Sequence, residues 1–292
     1  MFELIKVTDK TYYINYPTKI GIHITDGNEV YIIDSGNDKM AGKRILRVLD
    51  ENGWKLKGII NTHSHADHIG GNHYLQENTG CKIFANGTEA ACTKYTILEP
   101  SLLYGGCPCD DLRHKFFLAQ ESEACDITDE AFPEGFEIVD LSGHAFNMIG
   151  IRTPDNVLFM GDCVSSNEIL EKYRVTYIYD VEGFLKSLDK AEQLTAELFV
   201  PSHTQAVKDM KELVEINRKA IASIIDDILE FLKDGLVFDQ LLKRIFDKYE
   251  LRMNFQQHEL IGSTLRSYLT YLKQQGKITA EFKENLLIWK TV

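Results

Sequence analysis

Three histidines and one aspartate fall within six residues, between a short apolar segment and a pair of glycines. These side chains are His63, His65, Asp67 and His68. Imidazole and carboxylate groups at this density are typical ligands of zinc, iron or manganese ions. In an extended segment His63 and His65 project to the same side, whereas Asp67 and His68 follow a turn and point elsewhere. Four such donors suit two ions better than one tetrahedral ion, provided that more ligands come from later in the chain.

Three further polar side chains each follow an apolar segment, at the point where a predicted strand ends. They are His144, Asp162 and His203. Sites in layered α/β proteins lie at the carboxyl ends of strands, and His63 also follows such a segment. We therefore expect these three side chains to join the first four in one cluster.

The motifs, in this order, resemble those of the metallo-β-lactamase-fold hydrolases, over roughly residues 1–205. They are His63-x-His65-x-Asp67-His68, Gly143-His144, Gly161-Asp162 and Ser202-His203. The resemblance implies an α/β (α+β) fold, a four-layer αββα sandwich. It also implies that one divalent ion is held by His63, His65 and His144. A second ion would be held by Asp67, His68 and His203, with Asp162 bridging the two.

The residue at the bridging position indicates a branch of this superfamily. Many true β-lactamases of this fold have a cysteine there, whereas this chain has Asp162. In this respect it is similar to the branch that contains glyoxalase II (hydroxyacylglutathione hydrolase), lactonases and nucleases. The resemblance implies a hydrolase with two divalent ions, zinc first, with iron and manganese as alternatives. Asp67 would orient a water between the ions, and the resulting hydroxide would attack the substrate.

Three functions remain open on the sequence. The favoured one is hydrolysis of a small ester, thioester or lactone. The second is a nuclease or phosphodiesterase, and the third is a DNA-binding regulator that uses the metal site as a sensor. The chain has 32 Lys and Arg against 44 Asp and Glu, and residues 201–292 contain 14 basic and 13 acidic residues. The negative charge therefore lies in residues 1–200, which favours a small substrate over a polyanion.

The chain has no apolar run near the ~20 residues of a membrane span and no signal-peptide pattern at its beginning. We therefore expect a cytoplasmic protein without a membrane partner. Six cysteines are compatible with a reducing compartment. We expect Cys107 and Cys109, the closest pair, to be free thiols.

We predict a catalytic domain over residues 1–207. It begins with strands at 2–7, 11–16, 20–25 and 29–34, followed by a helix over 38–53. Segments 97–133 and 165–179 are predicted to be irregular, and the first is expected to act as a lid over the site. Three side chains of this insert are candidates to face the substrate pocket: Tyr104, His114 and Phe116. His23 and His73 are expected to be structural.

Residues 208–292 are predicted to form a helical module. Its pattern indicates helices over 206–232, 238–249 and 256–275, the last either continuous or broken at Gly262, and then a β-hairpin. This order resembles a winged-helix module. In a winged-helix module residues 263–275 would form the DNA-recognition helix, but their only basic residues are Arg266 and Lys273. DNA-binding helices usually have a basic face, so a packing or dimerisation role of the module is favoured. A core stripe is expected at Leu265, Tyr268, Leu269 and Leu272.

Overall fold

The structure is a computed structural model and describes residues 2–292. Its first sheet has seven strands in chain order, of which the first four are antiparallel and the last four are parallel. The strands are β1 (Glu3–Lys6), β2 (Thr11–Asn15), β3 (Ile20–Ile24), β4 (Glu29–Ile33), β5 (Lys55–Ile60), β6 (Lys82–Ala85) and β7 (Ala124–Asp126). The four strands predicted at the beginning of the chain are confirmed.

The second sheet has four strands in the order β11-β10-β9-β8. These are β8 (Glu137–Asp140), β9 (Ile149–Arg152), β10 (Val157–Phe159) and β11 (Leu198–Val200). Strands β10 and β11 are parallel and the other pairs are antiparallel. The two sheets pack face to face through buried side chains such as Ile33 and Ile60 from the first and Phe159 and Val200 from the second.

Ten α-helices surround the sheets in residues 2–292. They are α1 (Lys39–Glu51), α2 (Ala66–Ile69), α3 (Asn72–Thr79), α4 (Thr88–Lys94), α5 (Leu98–Tyr104), α6 (Asn167–Tyr173), α7 (Val181–Gln193), α8 (Lys211–Phe231), α9 (Phe238–Lys248) and α10 (Phe255–Gln274). Helix α1 begins where the Asp38 side chain accepts hydrogen bonds from the Met40 and Ala41 amides at 2.9 and 3.0 Å, a normal N-cap.

The outer layers complete the sandwich. Ile45 of α1 and Leu75 of α3 are buried against the outer face of the first sheet. Leu188 of α7 packs with Leu158 and Phe199 on the outer face of the second sheet. The order helix, sheet, sheet, helix confirms the predicted αββα architecture.

Helices α8 to α10 are followed by a hairpin of β12 (Ile278–Lys283) and β13 (Leu286–Thr291). Helix α10 passes through Gly262 without a break, which decides between the two alternatives. The predicted stripe is fully buried, with Leu265 and Leu272 at 0% exposure. These side chains belong to the same core as Leu188 and Phe199, so the packing is continuous across the predicted boundary at 207/208.

Two predictions of irregular structure were wrong in part. The predicted insert at 97–133 contains α5, and its later part forms β7, which pairs in parallel with β6 at the sheet edge. The predicted loop at 165–179 contains α6, whose first turn is capped by the Ser166 hydroxyl. These elements are too short to show a clear hydrophobic period in the sequence. Within residues 2–292, no helix combines the length and apolar character needed to cross a membrane.

Candidate metal centre

The seven predicted ligands meet at one end of the sandwich, and four of the connections that carry them leave a strand there. His63 follows β5, His144 follows β8, Asp162 follows β10 and His203 follows β11. His65, Asp67 and His68 lie in the turn and the short helix α2 that continue from His63. The expectation that sites lie at the carboxyl ends of strands therefore describes how this fold brings the side chains together.

Two glycines allow the backbone to reach this end of the sheets. Gly143, next to His144, has φ 124°, and a Cβ there would lie 2.1 Å from the Phe184 amide nitrogen. Gly161, next to Asp162, has φ 55°, a conformation that L side chains rarely adopt. The local backbone geometry thus favours glycine at both positions. Each glycine directly precedes a ligand and helps to set the direction of that side chain.

The imidazoles of His63, His65 and His144 form the first ligand group. His65 Nδ1 lies 3.0 Å from His63 Nε2 and 3.0 Å from His144 Nε2. A second group consists of Asp67, His68 and His203, whose ligand atoms also lie within 4.8 Å of one another. Each group has the size and the donor types of a metal site.

Asp162 lies between the two groups. Its Oδ2 is 3.5 Å from His144 Nε2 in the first group and 3.2 Å from His203 Nε2 in the second. Its Oδ1 is 3.3 Å from His68 Nε2. One carboxylate therefore contacts imidazoles of both groups, as a bridging ligand must.

Hydrogen bonds on the far side of each ring fix which nitrogen faces the centre. The Nδ1–H of His144 donates to the Tyr177 carbonyl at 3.1 Å, and that of His203 donates to the Pro17 carbonyl at 2.8 Å. The Nδ1–H of His68 donates to Asp34 Oδ2 at 2.8 Å. These bonds leave Nε2 of each ring free for a metal ion and set the ring orientation.

Asp34 supports two ligands at once. It is buried at the end of β4, and besides His68 it accepts the Thr62 amide and the Thr62 hydroxyl, each at 2.8 Å. The Thr62 oxygen lies 3.0 Å from His63 Nδ1 and can accept its proton. Asp34 has φ 60°, a strained value for a non-glycine residue that the surrounding bonds hold in place.

Glu89 connects the two ligand loops. It is fully buried, and its Oε2 accepts the Ser64 amide at 2.9 Å while its Oε1 accepts the Asn147 amide at 2.9 Å. Ser64 lies between His63 and His65, and Asn147 follows the loop of His144. Sequence reasoning missed Glu89, because a single glutamate in a helix is usually a surface residue.

The two groups differ in electrostatics. Burial lowers the pKa of His65 to about 4 and likewise lowers the pKa of His144 to about 4. Burial also opposes charge on His203, but the carboxylates of Asp162 and Asp67 outweigh it and raise its pKa to about 10. The imidazoles of His65 and His144 are therefore neutral near pH 7, whereas His203 must lose a proton before its Nε2 can bind a cation.

Two buried polar atoms without a hydrogen-bond partner in residues 2–292 also indicate a metal site. The buried atoms His68 Nε2 and Asp162 Oδ1 have no hydrogen-bond partner among the described residues. Unsatisfied buried polar atoms are rare in native proteins, and these two lie 3.3 Å apart at the junction of the ligand groups. A divalent cation with nitrogen and oxygen ligands would satisfy both.

A cavity of about 170 Å³ opens beside the centre. The residues that line it are His65, Asp67, Glu99, Leu103, Phe116, Phe117, Tyr177 and Leu260. Burial, and then Asp67, raise the pKa of Glu99 well above its usual value. His203 and Lys19 are among the residues that line a larger cleft of about 960 Å³.

The candidates from the insert had different outcomes. Phe116 lines the small cavity, as predicted for a pocket residue. Tyr104 instead packs on Phe255 with 6.0 Å between ring centroids, and His114 contacts the Gln256 side chain. Glu99 and Leu260 were missed, because nothing in their spacing marks them as neighbours of the centre.

The residues expected to be structural lie away from the ligands. His23 is buried and its Nδ1 is 2.8 Å from the Thr11 hydroxyl. His73 Nδ1 is 2.8 Å from the Glu121 carbonyl, which ties α3 to the insert. Cys107 and Cys109 are free thiols, as predicted.

The αββα fold and the His and Asp side chains that converge at one end of it indicate a class of protein: two-sheet sandwiches with a metal site. Residues 22–203 match the family model described as the metallo-beta-lactamase superfamily. The chain belongs to this superfamily, which confirms the resemblance. Membership supports the predicted class of enzyme, a metal-dependent hydrolase.

Curated relatives share limited regions with the chain. A hydroxyacylglutathione hydrolase of Methylococcus capsulatus is 36% identical over 69 residues, 21% of this chain and 27% of that protein. One of Erythrobacter litoralis is 28% identical over 144 residues, 49% of this chain and 46% of that protein. The chain therefore spans less than half of the length of these relatives.

A solved structure extends the likeness in fold to the C-terminal module. It is a beta-lactamase domain protein of Burkholderia ambifaria, with a TM-score of 0.73 and 13% sequence identity. The alignment covers 99% of this chain and 94% of that chain. The module is thus part of a fold that exists elsewhere, although so low an identity says nothing about substrate.

Proposed function

We propose that the protein is a dinuclear metal-dependent hydrolase that acts on a small ester, thioester or lactone. The observation that carries this proposal is the position of Asp162, with its carboxylate within 3.5 Å of imidazoles from both ligand groups. The relatives named hydroxyacylglutathione hydrolase support a thioester among these three substrate classes. Zinc is the first choice of metal, since the ligands are imidazole and carboxylate.

The residues have distinct roles in this proposal. His63, His65 and His144 would hold one ion, and Asp67, His68 and His203 would hold the other, with Asp162 as a ligand shared by both. Ions in these positions would supply an activated water and a Lewis acid for the substrate carbonyl.

Asp67 is the proposed catalytic residue. Its Oδ2 accepts a hydrogen bond from the Thr18 hydroxyl at 3.1 Å, which holds the carboxylate in place. Asp67 also lines the small cavity, so its carboxylate can orient a water against a substrate bound there.

The structure gives a reason to favour a small substrate over nucleic acid. Arg266, on the helix that would read DNA in a winged-helix module, stacks over the Phe238 ring at 4.0 Å from its centroid. This cation–π contact engages Arg266 within the protein, so only one of the two basic residues predicted for the DNA-facing surface remains. No specific observation in the described residues favours the nuclease or the DNA-binding regulator.

A hydrolysis panel tests the proposal. Zinc-loaded and manganese-loaded protein is assayed on a thioester, a lactone, an activated phosphodiester and single-stranded RNA, with His65→Ala as the matched loss of one ligand. We expect turnover of the thioester or the lactone that is lost in the variant. Turnover of only the phosphodiester or the RNA would contradict the proposal and favour the nuclease.

A further inference from the structure

The small cavity beside the ligands has an apolar wall made by three separate parts of the chain. Leu103 and Phe117 come from the insert, Tyr177 follows α6, and Leu260 comes from α10 of the C-terminal module. Leu103, Phe117, Tyr177 and Leu260 also belong to one hydrophobic cluster. The wall is therefore a packed surface that lines the same cavity as His65 and Asp67.

The size and charge of the cavity restrict what it can take. Its volume is about 170 Å³. Engineered cavities of about 150 Å³ lined by leucine, isoleucine and phenylalanine bind benzene. The titratable side chains in its lining are His65, Asp67, Glu99 and Tyr177, with no lysine or arginine among them. A carboxylate on a bound arm would thus lose its hydration among mostly apolar side chains without a lysine or arginine to pair with it.

We propose that this cavity binds the acyl arm of the substrate and selects an uncharged arm of about the size of a phenyl ring. Leu260 is then a specificity-determining residue, because it forms part of the apolar wall. This inference rests on the proposed hydrolysis at the adjacent centre. It narrows the substrate class to esters or thioesters of apolar carboxylic acids.

The position of Leu260 gives the C-terminal module a role in selection. Helix α10 is held against the insert by Gln256, whose side-chain amide donates to the Asp111 carbonyl at 3.2 Å. It is held against the residues after α6 by Ser267, whose hydroxyl donates to the Tyr179 carbonyl at 2.6 Å. These bonds fix the position of Leu260 over the cavity.

The first test compares thioesters that share one small thiol and differ in the arm: acetyl, butyryl, phenylacetyl and succinyl. We expect kcat/KM for phenylacetyl to exceed that for acetyl at least tenfold, and butyryl to exceed succinyl at least tenfold. Leu260→Trp should lower the phenylacetyl-to-acetyl ratio at least tenfold. Thr270→Trp, on an exposed position of the same helix, should change neither ratio.

A second measurement does not depend on turnover. Phenylacetamide, which is uncharged, is titrated against the protein and its binding is followed by ligand-observed NMR. Binding that weakens at least threefold in both Leu260→Ala and Leu260→Trp, but not in Thr270→Trp, supports the cavity even if no thioester is hydrolysed. In that case the proposed hydrolysis fails and the binding site stands. Hydrolysis with equal rates for all four arms, or no binding of phenylacetamide, would overturn the inference.

Discussion

The ligand centre and the cavity wall lie side by side but are built in different ways. The centre consists of polar side chains at strand ends, and most are fixed by a second bond, as His68 is by Asp34 and His203 by the Pro17 carbonyl. The wall consists of apolar side chains from helices and loops, which are held by non-directional packing in one hydrophobic cluster. Geometry is therefore specified closely where a metal ion must be held and more loosely where a substrate arm packs. We expect substitutions in the centre to change metal content and substitutions in the wall to change substrate preference.

The largest effect is expected from Asp162→Ala, which removes the carboxylate shared by the two groups. Loss of residues that only support a ligand costs about 10–100-fold in metal affinity or activity, so loss of this side chain should cost at least about 100-fold. Elemental analysis should show at least one ion fewer per chain than in the parent protein. Asp9→Ala, at an exposed carboxylate, is the control. Full metal retention would refute the bridging role.

A core substitution in α10 tests whether the C-terminal module unfolds together with the part of the chain that contains the ligand centre. Leu269 is 1% exposed in the core that also contains Leu188 of α7. Leu269→Ala should destabilise the protein by about 2–5 kcal/mol, as large-to-small core substitutions do. Because the core is continuous, we expect a single unfolding transition in denaturant. Two transitions, with the first sheet unaffected, would show that the module folds independently.

A smaller effect is expected from Asp34→Ala, which leaves all seven ligands in place. The loss of the bond to His68 Nδ1 should weaken metal binding by about 10–100-fold in competition with a chelator. Asp34→Asn keeps an acceptor oxygen and tolerates the positive φ, so it should weaken binding less than the alanine variant. Equal affinities of all three proteins would show that Asp34 does not orient the ligand.

Ser267→Ala gives the smallest expected change. It removes the hydrogen bond from α10 to the Tyr179 carbonyl, two residues beyond the carbonyl that accepts from His144. A bond of this kind contributes about 0.5–1.5 kcal/mol. We expect a stability loss of that size by denaturant unfolding and an unchanged metal content. Thr270→Ala on the same helix is the control, and loss of a metal ion in Ser267→Ala would show that the wall and the centre are not distinct.

The same contrast explains which parts of the site could be predicted. His63, His65 and His68 are rare residue types at short spacing, and each later ligand ends an apolar segment, so a local pattern was sufficient. Glu89 supports Ser64 from 25 residues away, and no local pattern connects the two. Leu260 was expected to lie in a packing appendage, because a leucine in an amphipathic helix gives no sign of which surface it meets.

The elements of the fold also differ in how well the sequence predicts them. Strands with alternating or continuous apolar residues, such as β2 and β4, were predicted within about two residues of their observed ends. Strand β7 has three residues and pairs only because β6 offers a free edge, so its formation depends on tertiary contacts. The predicted division at 207/208 and the winged-helix assignment remain predictions, as do the cytoplasmic location and a homodimer.

The most direct test of the dinuclear centre is a crystal structure of zinc-loaded protein with anomalous scattering measured at the zinc edge. We expect two anomalous peaks per chain, one among His63, His65 and His144 and one among Asp67, His68 and His203. Asp162 should lie between them. A single peak, or two peaks that Asp162 does not contact, would contradict the proposed centre.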